Sequence, residues 1–319
     1  MLDVEFYNLL MDAFDALYSA GSVRNNQTDE PVAALLQLRA GLAESPGWFL
    51  IQAAEFDPEP LTVANLRVRD VYASERIVQA LLELMASEEW LDRSVYDTYT
   101  LTAKGRAALQ RRLQRPYQLT AGLQPLPTHE IDQIATLLGK LIEASLAAPA
   151  PPGNWCLAHS RRRAPAQGAP TLVRIAQYFS DFNAFRDDAH MAAWQSYIPD
   201  GYMWEAFSLI YAGAADSAAG LFEQLAHRGY SCGEYAGALE VLVRRSWLES
   251  SDTAGTYSVT AEGHAIRQVV ERLTDSYFYA AWSCLAETEL AELHALLLRF
   301  IGELRANGQE LRTHEKESM

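Results

Sequence analysis

Cationic side chains concentrate in residues 102–115, a stretch of the chain that contains no acidic residue. Lys and Arg bind phosphate oxygens through charge-assisted hydrogen bonds, and they supply most of the sequence-independent affinity of proteins for nucleic acids. The segment therefore either contacts phosphates or forms one solvated face of a helix. The residues concerned are Lys104, Arg106, Arg111, Arg112 and Arg115.

A second group of side chains lies upstream and has the chemistry to read bases. In the helix predicted over 74–87, Ser74, Arg76 and Gln79 occupy polar positions. Arg donates two parallel hydrogen bonds to guanine, and Gln pairs in a similar way with adenine. Arg93 follows in the tip of a predicted hairpin. We expect a DNA-binding site made of Ser74, Arg76, Gln79, Arg93, Lys104, Arg106, Arg111 and Arg112.

Three consecutive arginines, Arg161, Arg162 and Arg163, follow a stretch rich in Ala and Pro at 147–153 and lie close to Trp155. Guanidinium groups suit phosphate or a small anionic effector. A solvated loop has the same composition, so both interpretations stay open here.

One further group of residues has side chains that metals bind. Cys156 and His159 are three positions apart, and Asp187, Asp188 and His190 follow on a later predicted helix. Zinc sites usually present paired Cys or His ligands, and no second Cys lies near Cys156. Helix capping and surface ion pairs explain the two aspartates more simply. We therefore predict no metal and no cofactor.

Composition limits the classes of partner. The 319 residues are 49% hydrophobic and 21% charged, which is typical of a globular protein. The formal net charge of −15 disfavours nucleic-acid binding unless the cations collect on one face. No apolar run approaches the roughly 20 residues of a membrane span, and the N-terminus lacks the pattern of a secretory signal. Because three cysteines suit reduced thiols, we expect a cytoplasmic protein.

Catalytic motifs are absent from the sequence. There is no phosphate-cradling glycine loop, no serine nucleophile elbow and no zinc-protease helix motif. We therefore predict no catalytic residue and no enzymatic activity.

The sequence repeats itself with an offset of about 158 positions. Tyr72, Ala80 and Leu81 correspond to Tyr230, Ala238 and Leu239, and Trp90-Leu91 corresponds to Trp247-Leu248. Further on, Tyr99–Gly105 corresponds to Tyr257–Gly263, and Glu130-Ile131 to Glu289-Leu290 after a one-residue shift. Two unrelated helical domains of similar composition are the alternative. We predict module A at 1–147, a linker and basic loop at 148–170, module B at 171–306 and a disordered tail at 307–319.

Each half has the same predicted order of elements. Apolar spacing indicates helices at 2–19 and 32–43, a short helix at 48–55, a helix from Thr62 to about 69, and one from Ser74 to about 87. Short strands at 90–92 and 98–101 follow, and a helix begins at Thr102. In the second half the helices are near 203–213, 217–227 and 231–245, the strands near 247–250 and 256–259. Long helices are predicted at 128–146 and 286–306.

The stretch Tyr99-Thr100-Leu101-Thr102-Ala103-Lys104-Gly105 resembles the second wing strand and following helix of bacterial winged-helix regulators of the MarR and PadR kind. The resemblance covers about 40 residues in each half. It implies a mainly α fold with small β-hairpin wings, arranged as a tandem winged helix-turn-helix pseudo-dimer. It also implies a transcriptional regulator that binds double-stranded DNA and responds to a small apolar effector. The aromatic residues that could line an effector pocket, or simply form the core, are Tyr178, Phe179, Phe182, Phe185 and Trp194.

The second half has weaker DNA-binding features. Its helix at 231–245 carries Glu234 and Glu240, and its hairpin tip carries Asp252 but no cation. Gly233 and Gly237 in that helix are expected to permit close packing against a neighbouring helix. An alternative function therefore stays open: a winged-helix protein that binds another protein or a small ligand and does not contact DNA.

Overall fold

The computed structural model describes residues 4–24, 52–251 and 255–317. The predicted helix at 32–43 and the start of the one at 48–55 lie outside these residues. The described chain is mainly α-helical with two two-stranded antiparallel sheets, as predicted. Within it, no helix combines the length and the apolar character that a membrane crossing requires.

The elements of the first half follow the predicted order. The described part of this half includes a helical segment at 52–56. The helices and strands that follow it begin and end within a few residues of the positions predicted from sequence. The elements are α1 (Val4–Arg24), α2 (Val63–Arg69), α3 (Glu75–Ser87), β1 (Leu91–Arg93), β2 (Tyr99–Leu101), α4 (Ala103–Thr120) and α5 (Thr128–Leu146).

The second half repeats this order after one short helix. Its last helix is longer than expected: the sequence predicts a disordered tail from 307, whereas the helix continues to Glu317. The elements are α6 (Trp155–Arg161), α7 (Thr171–Trp194), α8 (Gly201–Tyr211), α9 (Ala218–Gln224), a 3-10 turn (Ala226–Arg228), α10 (Cys232–Arg244), β3 (Leu248–Ser250), β4 (Tyr257–Val259), α11 (Ala261–Tyr279), a second 3-10 turn (Ala280–Cys284) and α12 (Glu287–Glu317).

Side-chain caps fix where the short helices begin. Asn65 donates its backbone N–H to Thr62 Oγ1 over 3.1 Å, and Thr62 donates its N–H to Asn65 Oδ1 over 2.8 Å, which makes a reciprocal capping box. Ser74 Oγ accepts from the Ile77 N–H at the start of α3. Ser231 caps α10 in the same way. Each such cap stabilises a helix by about 1 kcal/mol.

Both hairpins lead into a helix through the same Thr-x-x-Gly turn. Thr102 donates its N–H to Trp90 O over 3.0 Å, and its Oγ1 accepts from the Gly105 N–H over 3.0 Å. Thr260 and Gly263 repeat these contacts with Trp247. A Cβ at either glycine would overlap the tryptophan carbonyl oxygen. The glycine of the motif is therefore required by this close approach.

The described residues form two compact units. The helical unit draws on 1–29, 110–189 and 274–319, and the winged unit draws on 30–109 and 190–273. Each unit contains segments from both halves of the sequence. The modules predicted at 1–147 and 171–306 have boundaries that differ from those of the two units. They stay a prediction about the repeat.

Aromatic residues dominate the core of the helical unit. Phe6, Phe278 and Trp282 pack edge to face or tilted, with ring centroids 5.0 and 5.6 Å apart in the two contacts to Trp282. The predicted core residues Phe179, Phe182 and Phe185 are fully buried here, and Tyr178 is partly buried against them.

The winged unit has its own aromatic core. Trp194, Trp204 and Tyr235 are fully buried, and Trp247 nearly so. Trp194 stacks on Trp204 at 6.0 Å between ring centroids. The predicted aromatic series is therefore core in both units.

Candidate nucleic-acid interface

The winged unit contains two helix–turn–helix arrangements, each followed directly by a hairpin: α2–α3 with β1–β2, and α9–α10 with β3–β4. In α3 the side chains of Ile77, Val78, Leu81, Leu82 and Met85 are buried. The opposite face is exposed and carries Glu75, Arg76 and Glu83. In a helix-turn-helix the exposed face of the second helix enters the major groove, so this face is the candidate reading surface.

The N-terminal turn of α3 contacts the N-terminal turn of α10. Arg76 Nη2 lies 2.6 Å from Glu234 Oε2 and donates to Gly229 O over 2.8 Å. Ser74 donates its backbone N–H to Arg228 O over 2.9 Å. Gly229 has a φ of +76°, and a Cβ there would lie 2.5 Å from Ser74 Oγ. The two turns are thus in close contact at a position that requires glycine.

Arg228 supports this contact through ion pairs and is largely buried. It forms ion pairs of 2.8 Å with Glu205 and 3.0 Å with Asp70, and its guanidinium lies 5.4 Å from the centre of the Tyr72 ring. Its side chain is only 16% exposed. Asp70, Arg228 and Glu234 belong to the site but were not among the residues predicted from sequence.

Both contacts join positions that are equivalent under the predicted internal repeat. Asp70 and Arg228 are 158 residues apart, and so are Arg76 and Glu234. In each pair the two charges are opposite. Opposite charges at equivalent positions were the available sequence signal for the contact, because like charges there would repel.

Gln79, the other residue predicted to contact bases, forms hydrogen bonds within the protein. Its Nε2 donates to Glu83 Oε1 over 2.7 Å and to the Tyr99 hydroxyl over 3.1 Å. In the wing, Arg93 donates through Nε and Nη2 to Asp97 Oδ1 over 3.0 and 2.7 Å. Both side chains therefore have hydrogen-bond partners within the protein.

The two cations at the start of α4 also have acidic neighbours. Lys104 Nζ lies 3.7 Å from Glu89 Oε2 and donates to Glu88 O, and Arg106 makes a bidentate pair with Asp57 at 3.1 and 2.7 Å. The side chains of Arg76, Arg93, Lys104 and Arg106 are 45–63% exposed. The surface is therefore a mixture of both charges.

The hydrogen bonds that form these pairs shift the pKa values of their members. Hydrogen bonds to Glu234, Asp97 and Asp57 raise the pKa of Arg76, Arg93 and Arg106 respectively. The hydrogen bond from Arg76, with those from Ser231, lowers the pKa of Glu234 to about 2. Glu234 is therefore ionised at neutral pH.

The other two predicted phosphate contacts, Arg111 and Arg112, follow Lys104 and Arg106 on α4. Arg111 and Arg112 belong to the helical unit, whereas Ser74, Arg76, Gln79, Arg93, Lys104 and Arg106 belong to the winged unit. Arg111 is exposed and Arg112 is partly buried.

On α10, the face that corresponds to the exposed face of α3 has few described neighbours around its glycines. A Cβ at Gly237 would have no described neighbour within 4 Å, and one at Gly233 would meet only Ser231 Oγ at 3.9 Å. The expectation that these glycines permit close helix packing is therefore wrong. Glu240 and Arg244 complete the face as an exposed pair 3.8 Å apart.

The arginine triplet lies in the helical unit and is partly occupied. Arg161 Nη1 donates over 2.8 Å to Asp181 Oδ2, and Ser160 Oγ donates over 2.7 Å to the other oxygen of this buried carboxylate. Burial raises the pKa of Asp181, and the charge of Arg161 opposes that shift. Arg163 donates to Ser160 Oγ over 3.1 Å, and Arg162 is exposed.

The residues considered for a metal have structural roles. Asp188 accepts the backbone N–H groups of Cys156 and Leu157 over 2.8 and 3.0 Å, so it caps α6. His190 Nε2 accepts from Trp204 Nε1 over 3.0 Å. Across the described ranges, no group of three or more His, Cys, Asp or Glu side chains is arranged to hold a metal.

The long helices α5 and α12 are joined by reciprocal polar contacts. Lys140 pairs with Glu289 at 2.8 Å, and Arg299 pairs with Glu130 through two bonds of 2.9 and 2.8 Å. Under the predicted repeat, Glu130 corresponds to Glu289 and Lys140 to Arg299. A groove of about 670 Å³ lies beside the second pair. It is lined by His129, Glu130, Gln133, Glu292, Ala295, Leu296 and Arg299.

Comparison with known proteins identifies the family from sequence. Neither the curated proteins nor the solved structures gave a match. The model of a helix-turn-helix family matches residues 77–310, which is well over half of the chain and includes α3, both hairpins and α10. The helices, turns and hairpins of the winged unit agree with that match. The chain therefore belongs to this helix-turn-helix family.

Proposed function

We propose that this protein is a DNA-binding transcription regulator of the winged-helix kind. The observation that carries the proposal is the capped α2–α3 pair with a hairpin directly after it, in a chain of the helix-turn-helix family. Such motifs place their second helix in the major groove. Arg76 and Gln79 are the proposed base contacts, whereas Ser74, the third predicted member, is buried and caps the helix.

The acidic partners of the cations do not prevent phosphate binding. Exposed ion pairs are worth about 0–1 kcal/mol each, and the side chains of Arg93, Lys104 and Arg106 are 45–53% exposed. A phosphate can therefore replace a carboxylate at small cost. Arg93, Lys104 and Arg106 are the proposed phosphate contacts. Because each exchange gains little, binding is expected to be weak and strongly dependent on salt.

We further propose that the two halves are diverged copies of one winged module that pair inside one chain. In a two-fold symmetric pair, residue i contacts j′ and j contacts i′, whereas residues on the axis contact their own equivalents. The pairs Lys140–Glu289 and Arg299–Glu130 support the first pattern. The pairs Asp70–Arg228 and Arg76–Glu234 support the second. A MarR- or PadR-like homodimer would be the two-chain counterpart.

Fluorescence anisotropy with the full-length chain and a labelled random-sequence duplex tests DNA binding. We expect binding at low salt that weakens steadily as salt rises, because counterions are released from phosphates. Arg93→Ala with Arg106→Ala should weaken it. Arg305→Ala is the matched control, since Arg305 is an equally exposed cation in the helical unit, 3.6 Å from Asp12. Absence of binding at the lowest salt would exclude the proposal.

A second candidate function is supported by the charge pairing itself. Arg76, Arg93, Lys104 and Arg106 all have acidic partners, and the net charge is −15. These features suit a winged-helix protein that binds a protein or small ligand and not DNA. The groove beside Arg299 has both polar and apolar lining side chains, and it is the proposed site for a small ligand. Arg161, Arg162 and Arg163 remain a proposed anion contact.

A further inference from the structure

We infer that the DNA bound by the winged unit is one undivided, asymmetric site, not two half-sites. The inference rests on the proposed DNA binding and specifies the kind of duplex that is recognised. It follows from where the unit places the N-terminal turns of its two reading helices, α3 and α10.

The spacing of the two helices excludes the usual arrangement. Dimeric helix-turn-helix proteins place their reading helices in successive major grooves, about 34 Å apart. Here the N-terminal turns are in hydrogen-bonding contact, with Ser74 N 2.9 Å from Arg228 O and Arg76 Nη2 2.6 Å from Glu234 Oε2. Since these turns carry the residues that meet base edges, both helices face the same short stretch of duplex.

The α3–α10 contact is stabilised by partly buried charges and by a close approach of the two backbones. Arg228 is 16% exposed and binds Glu205 and Asp70 together. Separating the turns would break the Asp70–Arg228 pair and leave the carboxylate of Asp70, which is 18% exposed, without its charged partner, which is costly in proteins. Gly229 allows the backbones to approach at a distance that any side chain would prevent. DNA binding is therefore expected to leave the α3–α10 contact intact.

The two helices offer different chemistry to that single site. Arg76 and Gln79 on α3 provide hydrogen-bond donors, whereas the equivalent positions on α10 are Glu234 and Gly237. At Gly237 no described atom would lie within 4 Å of a Cβ, so the duplex can approach the α10 backbone closely. A palindromic duplex presents the same base groups twice. The exposed faces of α3 and α10 differ, so they do not match such a duplex.

Selection from a random duplex pool, followed by hydroxyl-radical footprinting, tests the inference with the full-length chain. We expect recovered sequences without inverted symmetry, and one continuous protected patch per bound chain. Two protected patches about one helical turn (10 base pairs) apart, or an inverted repeat, would overturn the inference while leaving DNA binding established. If no duplex is bound at low salt, the proposed function fails and the inference fails with it.

Hydrogen exchange at the Ser74 amide gives an independent readout. This N–H donates to Arg228 O, so it should exchange slowly and stay protected when duplex is added. Loss of that protection upon DNA binding would show that the turns separate, and would overturn the inference. Glu234→Gln provides a milder perturbation because Gln also completes a capping box. It should keep the single footprint and change duplex affinity by less than about five-fold.

Discussion

Arg76 and Glu234 lie 2.6 Å apart in space and 158 positions apart in sequence, which is the offset of the predicted internal repeat. The contact thus joins equivalent positions that carry opposite charges. If the halves are copies, such a contact arises only after the copies have diverged, because identical residues would place like charges together. The pair therefore favours association of each half with the other half within one chain.

The Arg76–Glu234 contact should make stability depend on pH at the acid end. The pKa of Glu234 is lowered from 4.5 to about 2 by its hydrogen bonds. A lowered carboxylate pKa gives stability that is present above pH 4.5 and is lost as pH falls through about 2. The effect should be modest because solvent screens the pair. Denaturant unfolding of the wild type and Glu234→Gln at pH 7 and pH 3 should give a difference that shrinks at pH 3. An unchanged difference would contradict this origin.

Gly229→Ala should destabilise the winged unit more than a matched glycine substitution does. Gly229 has φ +76° and a Cβ there would lie 2.5 Å from Ser74 Oγ and 2.8 Å from Ile77 Cβ. Gly213 has φ +68° with no described atom within 4 Å. Gly213→Ala should cost about 1–2 kcal/mol for the left-handed backbone, and Gly229→Ala about 1–3 kcal/mol more for the overlap. Equal losses in urea unfolding would argue against a tight α3–α10 contact.

Gly237→Ala and Gly263→Ala should have opposite effects on stability. At Gly237 a Cβ would meet no described atom within 4 Å, and Ala is favoured over Gly in helices by about 1 kcal/mol. At Gly263 a Cβ would overlap Trp247 O. Thermal unfolding followed by circular dichroism should show a higher Tm for Gly237→Ala and a lower Tm for Gly263→Ala. A lower Tm for Gly237→Ala would indicate a packed face on α10.

Arg186→Ala should strongly destabilise the helical unit. Arg186 pairs with Asp275 at 2.7 Å, with side chains 11% and 29% exposed, and lies 4.8 Å from the Tyr7 ring centre. The pair is only partly buried, so we expect the loss of one member to cost about 1–3 kcal/mol, which is less than for a fully buried pair. Arg305→Ala is the control, because its 3.6 Å pair with Asp12 is exposed and worth about 0–1 kcal/mol. Similar free energies of unfolding for both variants would show that the Arg186 pair contributes little.

Local patterns in the sequence predicted the elements well but not their contacts. Thr62 and Ser74 begin helices where predicted, and the aromatic and β-branched residues at 99–101 form the second strand of the wing. These features depend on near neighbours in the chain. The Arg76–Glu234 contact depends on residues 158 positions apart, which periodicity does not report.

The open face of α10 was predicted wrongly for a related reason. Glycine in a helix is compatible both with close packing and with an unoccupied surface, and the sequence pattern around Gly237 is the same for both. The acidic partners of Arg93 and Arg106 were also missed. Asp97 adjoins Arg93 across the hairpin tip, whereas Asp57 is 49 positions from Arg106.

The salt dependence of duplex binding tests the central claim most directly. For the full-length chain, the logarithm of the binding constant should fall linearly with the logarithm of salt concentration. Replacing Arg93, Lys104 and Arg106 by Ala should reduce the slope by about 1 for each phosphate contact removed, whereas Arg305→Ala should leave it unchanged. No binding at low salt, or a slope that the triple variant leaves unaltered, would contradict DNA binding by the winged unit.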